Sequence, residues 1–160
     1  MQFREILKTL ATARVEFVVI GGVGAVLQGA PLVTRDLDVV HERSLDNRRR
    51  LVRVLNELDA CYRETLPQRF VPNVDDLASP LHHLLTTRFG DLDLLGTVSG
   101  FDHDDLVVHA VTLDLERDVR VRVLTLKRII DLKEMTGREK DLAQLPVLRR
   151  TLEEHRKRDQ

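Results

Sequence analysis

The stretch VEFVVIGGVGAVLQGAPLVTRDLDVV, residues Val15–Val40, decides the fold. Its apolar, mostly β-branched start at Val15–Ile20 is typical of a buried strand. Gly21 and Gly22 follow, and a short helical pattern comes after them. Glycine lets the backbone approach a bound group closely, and a helix N-terminus favours an anion. A second strand begins near Asp36, so the stretch predicts strand, glycine turn, helix and strand in one short unit.

Asp36 and Asp38 are the chemically informative residues of the second strand. Residues two apart in a strand point to the same face, so the two carboxylates lie side by side. Like charges at that separation raise each other's pKa, and a hard cation such as Mg²⁺ relieves the repulsion with oxygen ligands. A pair of acids alone is weak evidence, because exposed strands often carry two. Together with the glycine pair, it predicts a phosphate site beside a metal site.

The composition is that of one globular domain. The chain has 160 residues, of which 42% are hydrophobic and 32% charged, enough for one core and short for two. The formal net charge of −1 argues neither for nor against a nucleic-acid partner. The single cysteine, Cys61, excludes an internal disulfide and fits a reducing compartment. No signal peptide or membrane-spanning run is predicted, so we expect a cytoplasmic protein with no membrane partner.

Hydrophobic periodicity predicts an α+β fold, a mixed β-sheet flanked by helices with a C-terminal helical segment. Helical patterns occur at 3–13, 23–29, 44–58, 125–135 and 139–155. Strand patterns occur at 15–22, 37–41, 82–89, 92–96, 110–116 and 119–124. A turn is predicted at Gly90-Asp91, and 61–80 is predicted to be a loop with a short strand around 69–71. We treat 1–160 as a single domain, with 1–124 mainly sheet and flanking helices and 125–155 helical.

Asp93 is the best candidate for a third acid. It lies inside a predicted strand between Leu92 and Leu94. A charge in such an apolar strand is costly unless it is paired or metal-bound, and two metal ions need more ligands than two side chains supply. Asp91 shares its face but falls in the predicted turn, which favours a turn-forming role and leaves its place in the site open.

These segments resemble a known superfamily. IGGVGAVLQGAPLVTRDLDVV resembles the nucleotidyltransferase signature: an apolar residue, Gly, Gly or Ser, a spacer, then Asp, an apolar residue and Asp. RFGDLDLLG and LKRIIDLKEMTGREKDLAQLPVL resemble the AbiEii-type and MenT-type nucleotidyltransferases, bacterial and archaeal proteins often encoded as toxins of toxin–antitoxin pairs. The resemblance covers about 17–148. It implies a polymerase-β-like sheet and metal-dependent transfer of a nucleoside monophosphate from NTP.

The resemblance also implies roles for individual residues. Gly21 and Gly22 would hold the triphosphate, and Thr34 matches the family's threonine two residues before the first acid. Two Mg²⁺ ions would be held by three carboxylates, those of Asp36, Asp38 and Asp93. Asp93 would also deprotonate the acceptor hydroxyl.

The C-terminal motif completes the implied site. Lys133 and Lys140 would contact phosphate oxygens, Arg138 belongs to the same motif, and Asp141 would lie in the site as a further catalytic residue. Many relatives carry an arginine where this chain has Leu32, so one phosphate contact is either missing here or supplied by Arg35. Without the resemblance, these C-terminal charges would be read as a solvated helix surface.

Several alternatives stay open at the level of sequence. The acceptor implied first is a nucleic acid 3′ end, chiefly tRNA, with a protein hydroxyl or a small molecule as alternatives. A cognate antitoxin partner would accompany the toxin interpretation. A rival function from another class is a non-catalytic nucleotide-binding or protein-interaction module with the same fold.

Overall fold

A computed structural model describes residues 2–160, and its centre is a seven-stranded mixed sheet. The strands are β1 Phe17–Ile20, β2 Asp36–His41, β3 Cys61–Tyr62, β4 His82–Thr87, β5 Gly90–Leu95, β6 Ala110–Glu116 and β7 Val119–Leu124. Their order across the sheet is β3-β4-β5-β2-β1-β7-β6. Strand β2 runs parallel to β5 and antiparallel to β1, and β1 runs parallel to β7. The predicted mixed sheet is therefore confirmed.

Helices flank the sheet, as the periodicity predicted. They are α1 Phe3–Thr12, α2 Gly21–Leu27, α3 Leu45–Glu57, α4 His103–Val107, α5 Leu126–Thr136 and α6 Glu139–Arg158. Polar side chains and a glycine cap several of the helix ends. Ser44 accepts a hydrogen bond from the Asn47 amide and caps α3, Thr125 caps α5 in the same way, and Gly137 ends α5 in the left-handed conformation. None of the helices within 2–160 has the length and apolar character needed to cross a bilayer.

The two faces of the sheet bury two separate hydrophobic clusters. Val19, Leu37 and Val39 belong to the cluster that α1 and α3 cover. Val18 and Val40 belong to the other cluster, which α4, α5 and α6 cover. Since side chains alternate along a strand, Asp36 and Asp38 share the face of Val40. The acids of β2 therefore open toward the C-terminal helices, and the apolar residues between them fill the opposite core.

The β4–β5 turn lies two residues earlier than the sequence predicted. Gly90 and Asp91 are the first residues of β5, so the predicted turn at Gly90-Asp91 is wrong. The chain reverses at residues 88–89 because Thr87 closes the turn with its side chain. Its hydroxyl donates to the Gly90 carbonyl at 2.7 Å and accepts from the Phe89 amide at 3.1 Å. Asp91 consequently pairs with Asp36 in the sheet instead of forming a turn.

The predicted short strand around 69–71 is also wrong. The strand in this segment is β3 at Cys61–Tyr62, which pairs with β4. Arg69 has a φ of +61°, and this left-handed conformation interrupts an extended run. The Phe70 carbonyl still accepts a hydrogen bond from the Tyr62 amide at 2.8 Å. The strand predicted at 15–22 is shorter than expected. In the structure β1 ends at Ile20, and Gly21 begins α2.

Asn47 of α3 is hydrogen-bonded to the residue before β1 and to the residue after β2. Its fully buried side-chain amide accepts from the Glu16 amide at 2.7 Å and donates to the Glu16 and Glu42 carbonyls at 3.0 and 2.7 Å. We predict that Asn47→Ala lowers the free energy of unfolding by about 2–3 kcal/mol, because it leaves buried backbone groups without partners. Urea unfolding followed by circular dichroism measures this loss. Arg49→Ala, at an exposed position of the same helix, is the control, and equal losses for the two variants would contradict the role of Asn47.

Candidate active site

The parallel pairing of β2 with β5 brings three predicted acids together. The register sets Asp36 beside Asp91 and Asp38 beside Asp93. Carboxylate oxygens of Asp36, Asp38 and Asp93 lie within 4.8 Å of one another. Within residues 2–160, this trio is the only group of three or more His, Cys, Asp or Glu side chains close enough to share a metal ion. We call these three residues the aspartate trio.

Crowding and burial make the trio electrostatically unfavourable when nothing neutralises it. Burial, followed by the neighbouring charges of Asp93 and Asp36, raises the pKa of Asp38 to about 8. Burial also raises the pKa of Asp93, although Arg63 beside it opposes that rise. The Asp38–Asp93 pair therefore retains a proton at neutral pH. Carboxylate oxygens are the ligands that Mg²⁺ prefers, so the donor set fits a divalent cation that would replace this proton.

The glycine pair allows two close approaches at the mouth of this cluster. Gly21 has a φ of +65°, and a Cβ there would overlap with the Asp38 carboxylate. A Cβ on Gly22 would lie 2.9 Å from the Thr34 hydroxyl oxygen. That hydroxyl donates to the Asp36 carbonyl at 3.1 Å. The glycines thus let the start of α2 lie directly against the acids and against Thr34.

Asp141 organises the cationic side of the site. Its carboxylate accepts from Lys133 Nζ at 3.1 Å, from the Thr136 hydroxyl at 2.9 Å and from Arg138 Nε at 2.7 Å. Burial alone would raise the pKa of Asp141, but hydrogen bonds from Arg138, Lys133 and Thr136 outweigh it and hold that pKa below its ordinary value. Because three donors already engage the carboxylate, its contacts are those of a residue that positions Lys133 and Arg138.

One cavity of about 830 Å³ contains every site residue that the sequence singled out. These are Gly21, Gly22, Thr34, Arg35, Asp36, Asp38, Asp93, Lys133, Arg138, Lys140 and Asp141. Arg35 and Lys140 are exposed at its rim, and within residues 2–160 neither forms an ion pair. Leu32, which replaces the family arginine, packs against the cluster beneath α5 and α6 instead of entering the cavity.

The two sides of the cavity differ in chemistry. On the β1 and β7 side lie the start of α2 and the cations of α5 and α6. On the β4 side lie the apolar side chains Leu84, Leu95 and Val98, together with His82 and Arg63. Leu84 pairs with Asp93 in the sheet and is 39% exposed, so an apolar side chain borders the trio on this side. The acids therefore separate a cationic wall from an apolar wall.

Arg63 is the site residue that sequence reasoning missed. It begins a 3-10 turn at Arg63–Thr65, and its guanidinium donates to Asp93 and, at 3.3 Å, to Asp91. No local pattern signals this contact, since the residue lies in a segment predicted to be loop and reaches a strand 30 positions away. The sequence indicates only that a buried third acid needs a positive charge beside it, and it does not indicate which residue supplies that charge.

Two polar side chains outside the trio, His83 and Asp102, form hydrogen bonds within the protein. His83 Nδ1 lies 2.7 Å from the Tyr62 hydroxyl on the face opposite the trio. Asp102 accepts from the Asp105 amide at 2.9 Å and caps α4. Cys61 is buried, in keeping with a packing role.

The raised pKa of Asp38 predicts a pH-dependent effect on stability. A carboxyl with a folded-state pKa above its unfolded value lowers stability as pH rises from about 4 toward about 8. In EDTA, Asp38→Asn should therefore raise the melting temperature by about 5 °C at pH 9 and much less at pH 5. Differential scanning calorimetry at both pH values measures this. Asp159→Asn, at an exposed position, is the control, and an Asp38→Asn effect equal at both pH values would contradict the assignment.

Solved structures of other proteins share this fold, among them the following two. A candidate nucleotidyltransferase from Thermotoga maritima matches with a TM-score of 0.56 and 19% identity, covering 95% of this chain and 91% of that chain. The lincosamide antibiotic adenylyltransferase LnuA, solved with lincomycin bound, matches with a TM-score of 0.61 and 15% identity, covering 92% and 94%. No family model and no curated protein sequence matches the chain. At these identities the likeness establishes architecture, so this chain has the fold of nucleotidyltransferases.

Proposed function

We propose that this chain is a metal-dependent nucleotidyltransferase that moves a nucleoside monophosphate from NTP to an acceptor hydroxyl. The observation that carries the proposal is the aspartate trio, whose carboxylate oxygens lie within 4.8 Å of one another at the floor of a cavity with a cationic wall. A trio of crowded carboxylates is costly to fold without a function that uses it. The shared fold with LnuA and the Thermotoga protein supports the same interpretation.

The cationic wall is suited to the triphosphate. Backbone amides at Gly21 and Gly22 open α2, where the helix dipole favours an anion. Lys133, held by Asp141, and Arg138 supply positive charge on the same side. Arg35 and Lys140 at the rim would contact the outer phosphates, which lets Arg35 compensate for Leu32. Thr34 fixes the loop that precedes the first acid.

The aspartate trio would hold Mg²⁺, two ions in the proposed arrangement. Bound there, the cations would polarise the α-phosphate and neutralise charge on the departing pyrophosphate. The trio residues fix the position of that charge, and the half-buried site keeps it from being screened by water. Lys133 adds positive charge on the phosphate side, close enough to oppose in part the rise in the pKa of Asp38.

The proposed reaction is a substitution at the α-phosphorus. The acceptor oxygen forms a bond to that phosphorus while the bond to the bridging oxygen of the β-phosphate breaks, and pyrophosphate leaves. Asp93 takes the proton of the acceptor hydroxyl. Asp93 is suited to this because it lies at the β4 edge of the trio, farthest from the cationic wall. Positioning and electrostatics would supply most of the rate enhancement, as is general for such transfers.

For the acceptor, the resemblance to toxin nucleotidyltransferases supports a tRNA 3′ end, with an antitoxin as partner and the cytoplasm as compartment. A specific observation favours a second candidate, a small hydroxyl-bearing molecule. The acceptor side of the cavity is lined by Leu84, Leu95 and Val98, and its arginine, Arg63, is already bound to Asp91 and Asp93, whereas RNA is usually bound through several basic groups. LnuA, a protein with this fold, was solved with a small antibiotic bound.

The central proposal predicts loss of transfer on removing one acid of the trio. Asp36→Asn should reduce Mg²⁺-dependent transfer from α-³²P-labelled NTP by at least about 10³-fold, because the metal site loses one of its ligands. Circular dichroism should show an unchanged fold. Asp114→Asn, on the remote strand β6, is the matched control.

The non-catalytic alternative makes the opposite prediction for the same protein. NTP would bind equally well with and without Mg²⁺ in calorimetry, and no label would be transferred. Full activity of Asp36→Asn would equally contradict the proposed role of the trio.

The acceptor class is tested by identifying the labelled product and by one variant on the apolar wall, Leu84→Ala. If RNA is the acceptor, label appears in total cellular RNA, and Leu84→Ala changes the Michaelis constant for RNA less than about twofold. If the acceptor is a small molecule, label migrates in a low-mass product and Leu84→Ala raises the acceptor Michaelis constant by about tenfold, since a buried apolar contact is lost. Label that stays with the protein identifies a protein hydroxyl. Thin-layer chromatography and gel electrophoresis separate the three products.

A further inference from the structure

Arg63 approaches the aspartate trio from the β3 side of the sheet. Its Nη2 donates to Asp93 Oδ1, and its Nη1 donates to Asp91 Oδ2 at 3.3 Å. Asp91 and Asp93 lie two apart on β5 and therefore share a face. The guanidinium thus spans both same-face carboxylates of the strand that supplies the third acid.

No other cation in residues 2–160 forms an ion pair with the trio. Lys133 and Arg138, the nearest candidates on the opposite wall, are both bound to Asp141. Asp36 and Asp38 have no cationic partner in the described part of the chain. Arg63 therefore supplies, in part, the neutralising charge that a divalent cation would bring.

The surroundings of Arg63 allow its guanidinium to move away from Asp91 and Asp93. Its Nε is buried without a hydrogen-bond partner, so the guanidinium is only partly satisfied where it lies. The residue follows β3, which is anchored to β4 by two residue pairs, and begins a single 3-10 turn. A guanidinium bound to Asp93 also repels a metal ion approaching the same carboxylate.

Building on the proposed function, we propose that Arg63 and the divalent cation are alternative counter-charges for Asp93, and that nucleotide binding shifts the balance toward the cation. Arg63 holds the trio in the metal-free protein. It lines the same cavity as the cationic wall, so a triphosphate entering that cavity offers the guanidinium new oxygen acceptors. Nucleotide and metal binding are then coupled through one side chain, and the coupling is reciprocal.

A purely structural role predicts the opposite effect on metal affinity. If Arg63 only holds Asp93 in a ligating orientation, its removal disorders a ligand and weakens metal binding. If it competes, its removal strengthens metal binding. The sign of the change therefore separates the two roles.

The test measures Mn²⁺ binding by electron paramagnetic resonance to the full-length protein, without nucleotide and with a non-hydrolysable NTP analogue. Without nucleotide, Arg63→Gln should bind Mn²⁺ about tenfold more tightly than the parent, the order that Coulomb's law gives for removing one unit charge from a partly hydrated site. The analogue should tighten Mn²⁺ binding more in the parent than in Arg63→Gln. Arg69→Gln is the control, because it removes the charge of an exposed arginine that pairs with Asp59. It should change neither the Mn²⁺ affinity nor the effect of the analogue on that affinity.

Arg63→Lys is a second control, which separates loss of the charge from a folding defect caused by changing this residue. Because it retains the charge, it should bind Mn²⁺ within about twofold of the parent. If Arg63→Gln binds Mn²⁺ no more tightly than the parent, the proposed competition is wrong. It is also wrong if Arg63→Lys, which keeps the charge, binds Mn²⁺ as tightly as a tighter-binding Arg63→Gln. Either of those results leaves the proposed metal site intact. Failure of the parent and of Arg63→Gln to bind any Mn²⁺ would overturn both this inference and the proposed function.

Discussion

The in-register parallel pairing of β2 with β5 is the constraint on which the rest of the site depends. It sets Asp38 directly beside Asp93, with Asp36 one step along the same face. Half-buried carboxylates this close repel one another, and burial adds to the cost. The surrounding chain responds to this excess of negative charge. Gly21 removes a side chain that would collide with Asp38, Arg63 contacts the third acid, and the cationic wall faces the trio from α5 and α6.

The asymmetry of the cavity follows from the order of the strands. Because β1 lies on one side of the acidic strands and β4 on the other, the start of α2 can reach only one flank of the trio. That flank also receives α5, whose Lys133 is fixed by Asp141 across the turn at Gly137. The other flank is formed by β4 and is mainly apolar. Donor and acceptor would therefore meet the acids from opposite sides, which is the arrangement that an in-line displacement needs.

The sequence predicted structure correctly where signals within a few residues of one another determine it. The helices predicted at 44–58 and 125–135 were found with nearly those bounds, because Ser44, Thr125 and Gly137 cap them within one turn of their ends. Alternation identified β6 and β7 and the shared face of Asp36 and Asp38. The β4–β5 turn was misplaced because Thr87 closes it by a side-chain hydrogen bond that turn propensities do not encode. Arg63 was missed because its partners lie on a distant strand, and a long-range ion pair leaves no periodic signal.

In the proposed function, the aspartate trio is a metal site that serves nucleotide transfer. The most direct measurement is anomalous diffraction at the manganese edge from crystals grown with Mn²⁺ and a non-hydrolysable NTP analogue. We expect an anomalous peak within coordination distance of Asp36, Asp38 and Asp93, with the triphosphate extending toward Lys133. A nucleotide bound elsewhere, or ordered nucleotide in this cavity with no manganese at the trio, would contradict the proposed function.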